Sequence, residues 1–407
     1  MGRASRQLAM VVLLSAGVAC AATPPRHAGR IAKAKGHAAI AHAAGVHHHA
    51  AVAHFVARGR RLHGHASLRV VRGRKVHRYV ERFTGVSFVD DVTRGDIAAG
   101  EDPVVRAAAI EALGNMNGTA LAIDPSSGRI LAMVNQHLAL SAGAEPCSTI
   151  KVAVALAALK EGLVKSDTLV NLGGHFSLDL THALAKSVNL YFEVLGRAMG
   201  FERVKHYANE FGLGELAGYN IPGEQLGVYP DTELPQASGG VGRMCSFGES
   251  IRMTPLQLGA LVSAIANGGT LYYLQHPTTP AEIASFVPKV KRLLDIQDVI
   301  PQILPGMQGA VDFSNGTARS LRTNFTSFPI FGKTGTCSDN GTRFGWFVSY
   351  GDAPTGRIVT VIFLNGNREV YGPKAAELTG AFYRAMYERN YFAPKTATEN
   401  AQSSGVQ

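Results

Sequence analysis

A serine and a lysine three residues apart open an apolar helix in AGAEPCSTIKVAVALAALKEG, residues 142–162. Positions i and i+3 share a helix face, so Ser148 and Lys151 can meet. A serine at a helix start sits at the positive end of the dipole with its N–H unpaired, which favours an attacking oxygen whose product is an oxyanion. A lysine among Val152, Val154 and Leu156 loses solvation. Its pKa then falls, and the neutral amine can accept the serine proton. The same residues also read as a serine N-cap followed by a lysine that snorkels to water, and Ser-x-x-Lys alone does not separate the two. Cys147 precedes the serine, but no histidine lies close in sequence to activate it as a nucleophile.

Two further stretches carry chemistry. LAKSVNLYF contains Ser187 and Asn189. On a turn between helices, Ser-x-Asn offers a hydroxyl and an amide to one point, although Ser187 is locally an equally good N-cap. In PIFGKTGTCSDNG, Lys333, Thr334, Gly335 and Thr336 follow an apolar run and precede two strand-like segments. On a strand, Lys333 and Gly335 share a face and Thr334 points away. The glycine lets another backbone approach. The N–H of Thr336 can then join that of Ser148 in an oxyanion hole, while the lysine and threonine side chains hold a carboxylate. Ser338-Asp339-Asn340 also has the Ser-x-Asn form, but Asn340-Gly341 reads as a hairpin turn.

The elements that must position these groups are legible. EDPVVRAAAIEALGN (101–115) predicts a helix with Asp102 as N-cap and Pro103 at the first helical position. GTALAIDPSSGRILAMVN predicts a hairpin around Asp-Pro-Ser-Ser-Gly. A largely helical region is expected over residues 148–272, then strands around Phe331, at 343–350 and at 357–364, and a closing helix over 373–391. This order suggests an α+β domain, an antiparallel sheet with helices packed on it.

In the order S-x-x-K, S-x-N, K-T-G, the motifs form the set found in penicillin-binding proteins and class A β-lactamases. The chain resembles the transpeptidase domain of the penicillin-binding proteins. ALAIDPSSGRILAMVN is similar to that family's opening hairpin and STIKVAVALAALKEGL to its nucleophile helix. FGLGELAGYNIPGEQLGVYP, SFGESIRMTPLQLGALVSAIANGGTLY and GMQGAVDFSNGTA resemble later segments, and the likeness runs over residues 101–392. The resemblance implies a sheet with helices on both faces and an all-helical subdomain. It implies that Ser148 is acylated, that Lys151 is its base, and that Ser187 and Asn189 relay a proton and grip the donor peptide's amide. Lys333, Thr334 and Thr336, with Gly335 between them, would bind the carboxylate of a D-Ala-D-Ala stem peptide of peptidoglycan, or that of a β-lactam inhibitor. No metal or organic cofactor is implied.

Departures from the family pattern sharpen the reading. Most relatives have glycine before the nucleophile, where this chain has Cys147, and Cys337 follows the K-T-G. Some carbapenem-hydrolysing class A β-lactamases bridge the corresponding positions. A Cys147–Cys337 disulfide is expected on that likeness, with Cys245 as a rival partner. A serine β-lactamase is the alternative function, and Glu224 in IPGEQLG falls where a water-activating carboxylate would serve, without the asparagine of E-x-x-L-N. A non-catalytic penicillin-binding sensor or scaffold is the third reading, yet no motif residue is missing.

Charge bounds the remainder. Residues 1–80 hold fourteen Lys and Arg and no acid, leaving 26 basic against 30 acidic residues in the rest, a balance of −4. The high isoelectric point therefore describes a tail and gives no reason to expect a nucleic-acid partner. Residues 1–21 have two arginines before an apolar run ending Ala-Cys-Ala, a secretory signal cleaved after Ala21 or an uncleaved anchor. The chain is thus expected to be exported to the periplasm or cell-envelope surface. Residues 22–80 carry ten of the fifteen histidines. They read as a disordered linker, with metal binding or contact with an anionic cell-envelope polymer as the functional alternatives. Residues 81–100 are expected to form a neck, 101–393 the transpeptidase domain and 394–407 a disordered tail. No usual N-terminal pedestal domain and no glycosyltransferase sequence are recognised.

Overall fold

The computed structural model describes residues 65–71, 74–80 and 82–394. Strands β1 (His65–Val71) and β2 (Arg74–Val80) pair as an antiparallel hairpin. These residues fall within the expected linker, and the ladder between the two strands satisfies backbone groups there. The expected signal, the rest of the linker and residues 395–407 lie outside the described residues.

The domain proper follows in order. Helix α1 (Pro103–Leu113) precedes β3 (Gly118–Asp124), β4 (Arg129–Val134) and α2 (Gln136–Ala139). A 3-10 turn, Cys147–Ile150, runs into α3 (Lys151–Lys160). Next come β5 (Val170–Asn171), β6 (Ser177–Leu178), α4 (Leu180–Ala185), α5 (Asn189–Met199), α6 (Phe201–Glu210), α7 (Gly240–Phe247) and α8 (Pro255–Asn267). The chain then forms β7 (Thr270–Tyr272), α9 (Pro280–Ala284), β8 (Val290–Leu293) and α10 (Ile300–Asp312). It closes with β9 (Ile330–Asp339), β10 (Thr342–Ala353), β11 (Gly356–Gly366) and α11 (Gly372–Glu388).

One five-stranded antiparallel sheet, ordered β4-β3-β11-β10-β9, organises the domain and leaves β9 at an edge. Period-two alternation splits its residues between two cores. Leu121, Ile123, Val359, Val361 and Phe363 face α3, α5 and α8, whereas Ala120, Ala122, Ile358, Ile362 and Leu364 face α1 and α11. Helices therefore cover both faces, the α+β arrangement expected.

Local chemistry explains the bounding helices. Asp102 caps α1 by accepting the N–H groups of Val104 and Val105, and Pro103 occupies the first turn. Thr254 and Gln257 form a capping box at α8. Leu256, Leu258, Leu261 and Ile265 of α8 are at most 1% exposed. Each contributes about 1.5–3 kcal/mol by leaving water. Asn340 and Gly341, at φ 49° and 77°, make the left-handed turn between β9 and β10, so Ser338-Asp339-Asn340 belongs to a hairpin.

One region differs from expectation. The stretch 211–235 has neither helix nor strand, because Gly212, Gly214, Gly218, Gly223 and Gly227 alternate with Pro222 and Pro230. Residues 82–100, expected as a neck, lie along the domain: Asn117 donates to the Ser87 carbonyl, and the Asp96 carboxylate accepts the N–H groups of Asn135 and Gln136. Among the described residues no helix is long and apolar enough to cross a membrane.

Candidate active site

Ser148 stands on the 3-10 turn, in the first turn before α3, where no preceding helical carbonyl reaches its N–H. Cys147, just before it, has φ 52°, a left-handed conformation that a non-glycine residue adopts only when its surroundings hold it there. Three contacts do so. Cys147 is disulfide-bonded to Cys337 of β9, with the Cα atoms 5.6 Å apart. The Trp346 indole donates to the Glu145 carbonyl at 3.0 Å. The Pro146 carbonyl accepts from the Thr149 hydroxyl at 2.6 Å. Cys245, the rival partner, is instead a free buried thiol on α7, packed against Gly196 of α5.

Lys151 does not snorkel: its side chain is wholly buried. Its Nζ lies 2.9 Å from Ser148 Oγ, 3.0 Å from Ser187 Oγ, 3.0 Å from the Ser187 carbonyl and 2.6 Å from Asn189 Oδ1. Ser187 is not the cap of α5, since Val188 holds that position. A φ of 57° turns Ser187 inward instead. Its hydroxyl sits between two amines, with Lys333 Nζ donating to it at 2.8 Å. Asn189, the first residue of α5, directs its amide oxygen at Lys151.

The electrostatics follow from this packing. Burial, and then the like charge of Lys333, hold the Lys151 pKa well below the usual lysine range, with the charge of Glu193 opposing. Burial alone pulls Lys333 down to about 7. A neutral Lys151 that donates to Asn189 Oδ1 and the Ser187 carbonyl keeps its lone pair for the Ser148 proton.

Edge strand β9 completes the cleft. A Cβ on Gly335 would stand 2.8 Å from the Pro146 carbonyl oxygen, so only glycine lets the strand and the nucleophile turn approach this closely. Lys333, Gly335 and Cys337 face that turn. Thr334 and Thr336 face α11: Thr334 donates to the Thr317 hydroxyl at 2.7 Å, and Thr336 Oγ1 accepts the Gly372 N–H at 2.7 Å. The three side chains expected on one carboxylate thus come from both faces of a strand and share only its open edge. Thr317 and Gly372 were not singled out in the sequence, and a threonine sixteen residues before a strand motif carries no register that could reveal it.

Glu224 is committed elsewhere. Its carboxylate accepts N–H bonds from Ala217 at 2.9 Å and Gly218 at 3.0 Å, fastening the glycine-rich stretch. Burial raises its pKa against those bonds.

Comparison with known proteins places this geometry. The model for the penicillin binding protein transpeptidase domain matches residues 118–386. Stage V sporulation protein D of Bacillus subtilis is 28% identical over 262 residues, 53% of this chain and 39% of that protein. Peptidoglycan D,D-transpeptidase MrdA of Acinetobacter baumannii is 25% identical over 366 residues, 71% of this chain and 53% of that protein. Peptidoglycan D,D-transpeptidase FtsI of Escherichia coli K12 is 25% identical over 396 residues, 85% of this chain and 64% of that protein. The chain thus spans less than two thirds of the length of each. Because the matched region takes in the sheet, the nucleophile turn, the Ser-x-Asn turn and the K-T-G strand together, the chain belongs to the penicillin-binding protein transpeptidase family.

Proposed function

We propose that the chain is a serine-type peptidoglycan D,D-transpeptidase or carboxypeptidase, and that β-lactams acylate it at Ser148. The observation that carries this reading is the buried Lys151 amine, 2.9 Å from Ser148 Oγ and linked through Ser187 to Lys333. Lys151 takes the Ser148 proton as Oγ attacks the carbonyl carbon of the penultimate D-alanine. The N–H groups of Ser148 and Thr336 receive the developing oxyanion. Lys333, Thr334 and Thr336 hold the terminal carboxylate. The Asn189 amide, its oxygen turned to Lys151, presents its N–H₂ to the peptide backbone. Ser187 passes a proton to the departing nitrogen, the C–N bond breaks and D-alanine leaves. A stem-peptide amine or water then attacks the ester and frees Ser148.

Two other functions are weaker. A β-lactamase needs a carboxylate to activate the deacylating water, and Glu224 is engaged by two backbone N–H groups. A silent sensor or scaffold has no reason to retain both lysines, Ser187 and Asn189 in contact. The place of action is outside the cytoplasm, at the periplasm or envelope surface. Residues 22–80 serve as a linker, with contact to an anionic cell-envelope polymer as their second role.

The test treats the purified chain with a labelled penicillin beside Ser148→Ala and follows D-alanine release from a stem pentapeptide. A lasting adduct lost in Ser148→Ala, together with D-alanine release, supports the proposal. Rapid penicillin turnover without an adduct would replace it with the lactamase reading, and an adduct without D-alanine release with the sensor or scaffold.

A further inference from the structure

Thr334 and Thr336 lie on the same face of β9, yet their hydroxyl protons are committed in opposite ways. Thr334 is 4% exposed and donates inward to Thr317 Oγ1 at 2.7 Å. Thr336 is exposed, and its oxygen accepts the Gly372 N–H at 2.7 Å. A hydroxyl has one proton and two lone pairs. With an acceptor site filled from the α11 side, the Thr336 proton points away from that N–H and is free to face the open edge of β9.

We infer that Gly372 is a positioning residue that presets the Thr336 hydroxyl as a donor to the substrate carboxylate, an inference that rests on the acyl-transfer reading above. The contact is built rather than incidental. A Cβ on Gly372 would stand 2.8 Å from the Gly335 carbonyl oxygen and 2.9 Å from Thr334 Cβ. A Cβ on Gly345, across the sheet on β10, would stand 2.7 Å from the Tyr371 carbonyl. Neither glycine has a positive φ, so close approach, not conformational freedom, explains them. Together they let the Tyr371–Gly372 backbone lie directly on β9 and β10 and deliver one N–H to one hydroxyl. A donor oriented before the ligand arrives needs no reorganisation as the anion binds. Thr334 must first give up its bond to Thr317, so Thr336 contributes the larger share of carboxylate recognition.

The experiment measures second-order acylation of Ser148 in the full chain by a penicillin labelled on its side-chain amide and by the methyl ester of the same compound. Gly372→Ala adds the Cβ that the contact excludes. It is expected to slow acylation by the acid about tenfold, the loss of one hydrogen bond to a charged group, while the ester rate stays within about twofold. Thr336→Val should show the same acid-selective loss, and Thr336→Ser should restore it. Adding Gly372→Ala to Thr336→Val should cost no further rate, because both act through one hydroxyl. Equal slowing of acid and ester by Gly372→Ala, or a full additional loss in the double variant, would make Gly372 a packing residue only. An unchanged acid-to-ester ratio in Thr336→Val would overturn the inference even if Gly372→Ala failed to fold. A wild-type chain acylated by neither compound would overturn the acyl-transfer reading, and this inference with it.

Discussion

Two buried polar clusters in this domain have opposite electrostatic designs. At one end of the sheet, Arg106 contacts Asp96 at 2.9 Å and Glu101 at 2.7 Å, and Glu101 also meets His276 at 3.0 Å. Burial works against the Arg106 charge, but the hydrogen bonds to Glu101 and Asp96 outweigh it and hold the pKa up. At the cleft, Lys151 and Lys333 are more deeply buried than Arg106, share the Ser187 hydroxyl and, among the described residues, have no carboxylate bonded to either amine. Their pKa values fall. Pairing opposite charges makes a buried cluster a structural fastening; crowding like charges around a hydroxyl makes one that must exchange protons.

The largest expected effect separates the two directly. Lys151→Met should lower acylation by about 10²–10⁴-fold, the range of a lost general base, while the melting temperature holds or rises because a strained buried amine is gone. A large drop in melting temperature would erase the distinction. Arg106→Met should behave inversely. It leaves Asp96 and Glu101 without their cation and should cost about 3–5 kcal/mol in denaturant unfolding, with the acylation rate per folded molecule unchanged.

The contrast also predicts a pH signature. Because folding depresses the Lys333 pKa to about 7, the unfolded chain binds more protons than the folded one from there up to the ordinary lysine value of 10.5. Stability relative to Lys333→Met should therefore rise with pH across that window and stay level below it; a fall would refute the depressed pKa. Over the same range acylation by a carboxylate-bearing β-lactam should decline as Lys333 loses its charge, a limb absent with the ester.

The smallest effect concerns Cys147. Converting Cys147 and Cys337 to serine removes the bridge while leaving a side chain at φ 52°. Cys147→Gly with Cys337→Ser removes it too, but the glycine adopts that conformation freely, a relief of about 1–2 kcal/mol. The glycine version should melt higher and acylate faster, and equal behaviour of the two would show that the disulfide is not what holds the turn.

Much of this was legible from local chemistry. Asp102-Pro103 marks the start of α1, alternation marks β10 and β11, and Asn340-Gly341 marks their neighbour's turn, since each depends on residues a few positions apart. Ser148 and Lys151 fall within one turn of helix, so spacing alone brings them into reach. Local sequence could not exclude the N-cap reading of Ser187, because its inward orientation depends on a left-handed φ and on a lysine 146 residues away. The packing of residues 82–100 is not legible locally for the same reason: Asp96 finds its partners at Asn135 and Gln136, across the domain.

By itself the sequence determined the residue types, their helical or strand spacing and the order of the motifs, because those depend on backbone geometry within a few residues. Only the tertiary structure decided that Lys333 and Lys151 share one hydroxyl, that Cys147 pairs with Cys337 and not Cys245, and that the two threonines of β9 face different partners. Those outcomes depend on which surfaces the folded sheet brings within about 3 Å, the reach of a hydrogen bond, and on how far burial strips water from the groups that meet there.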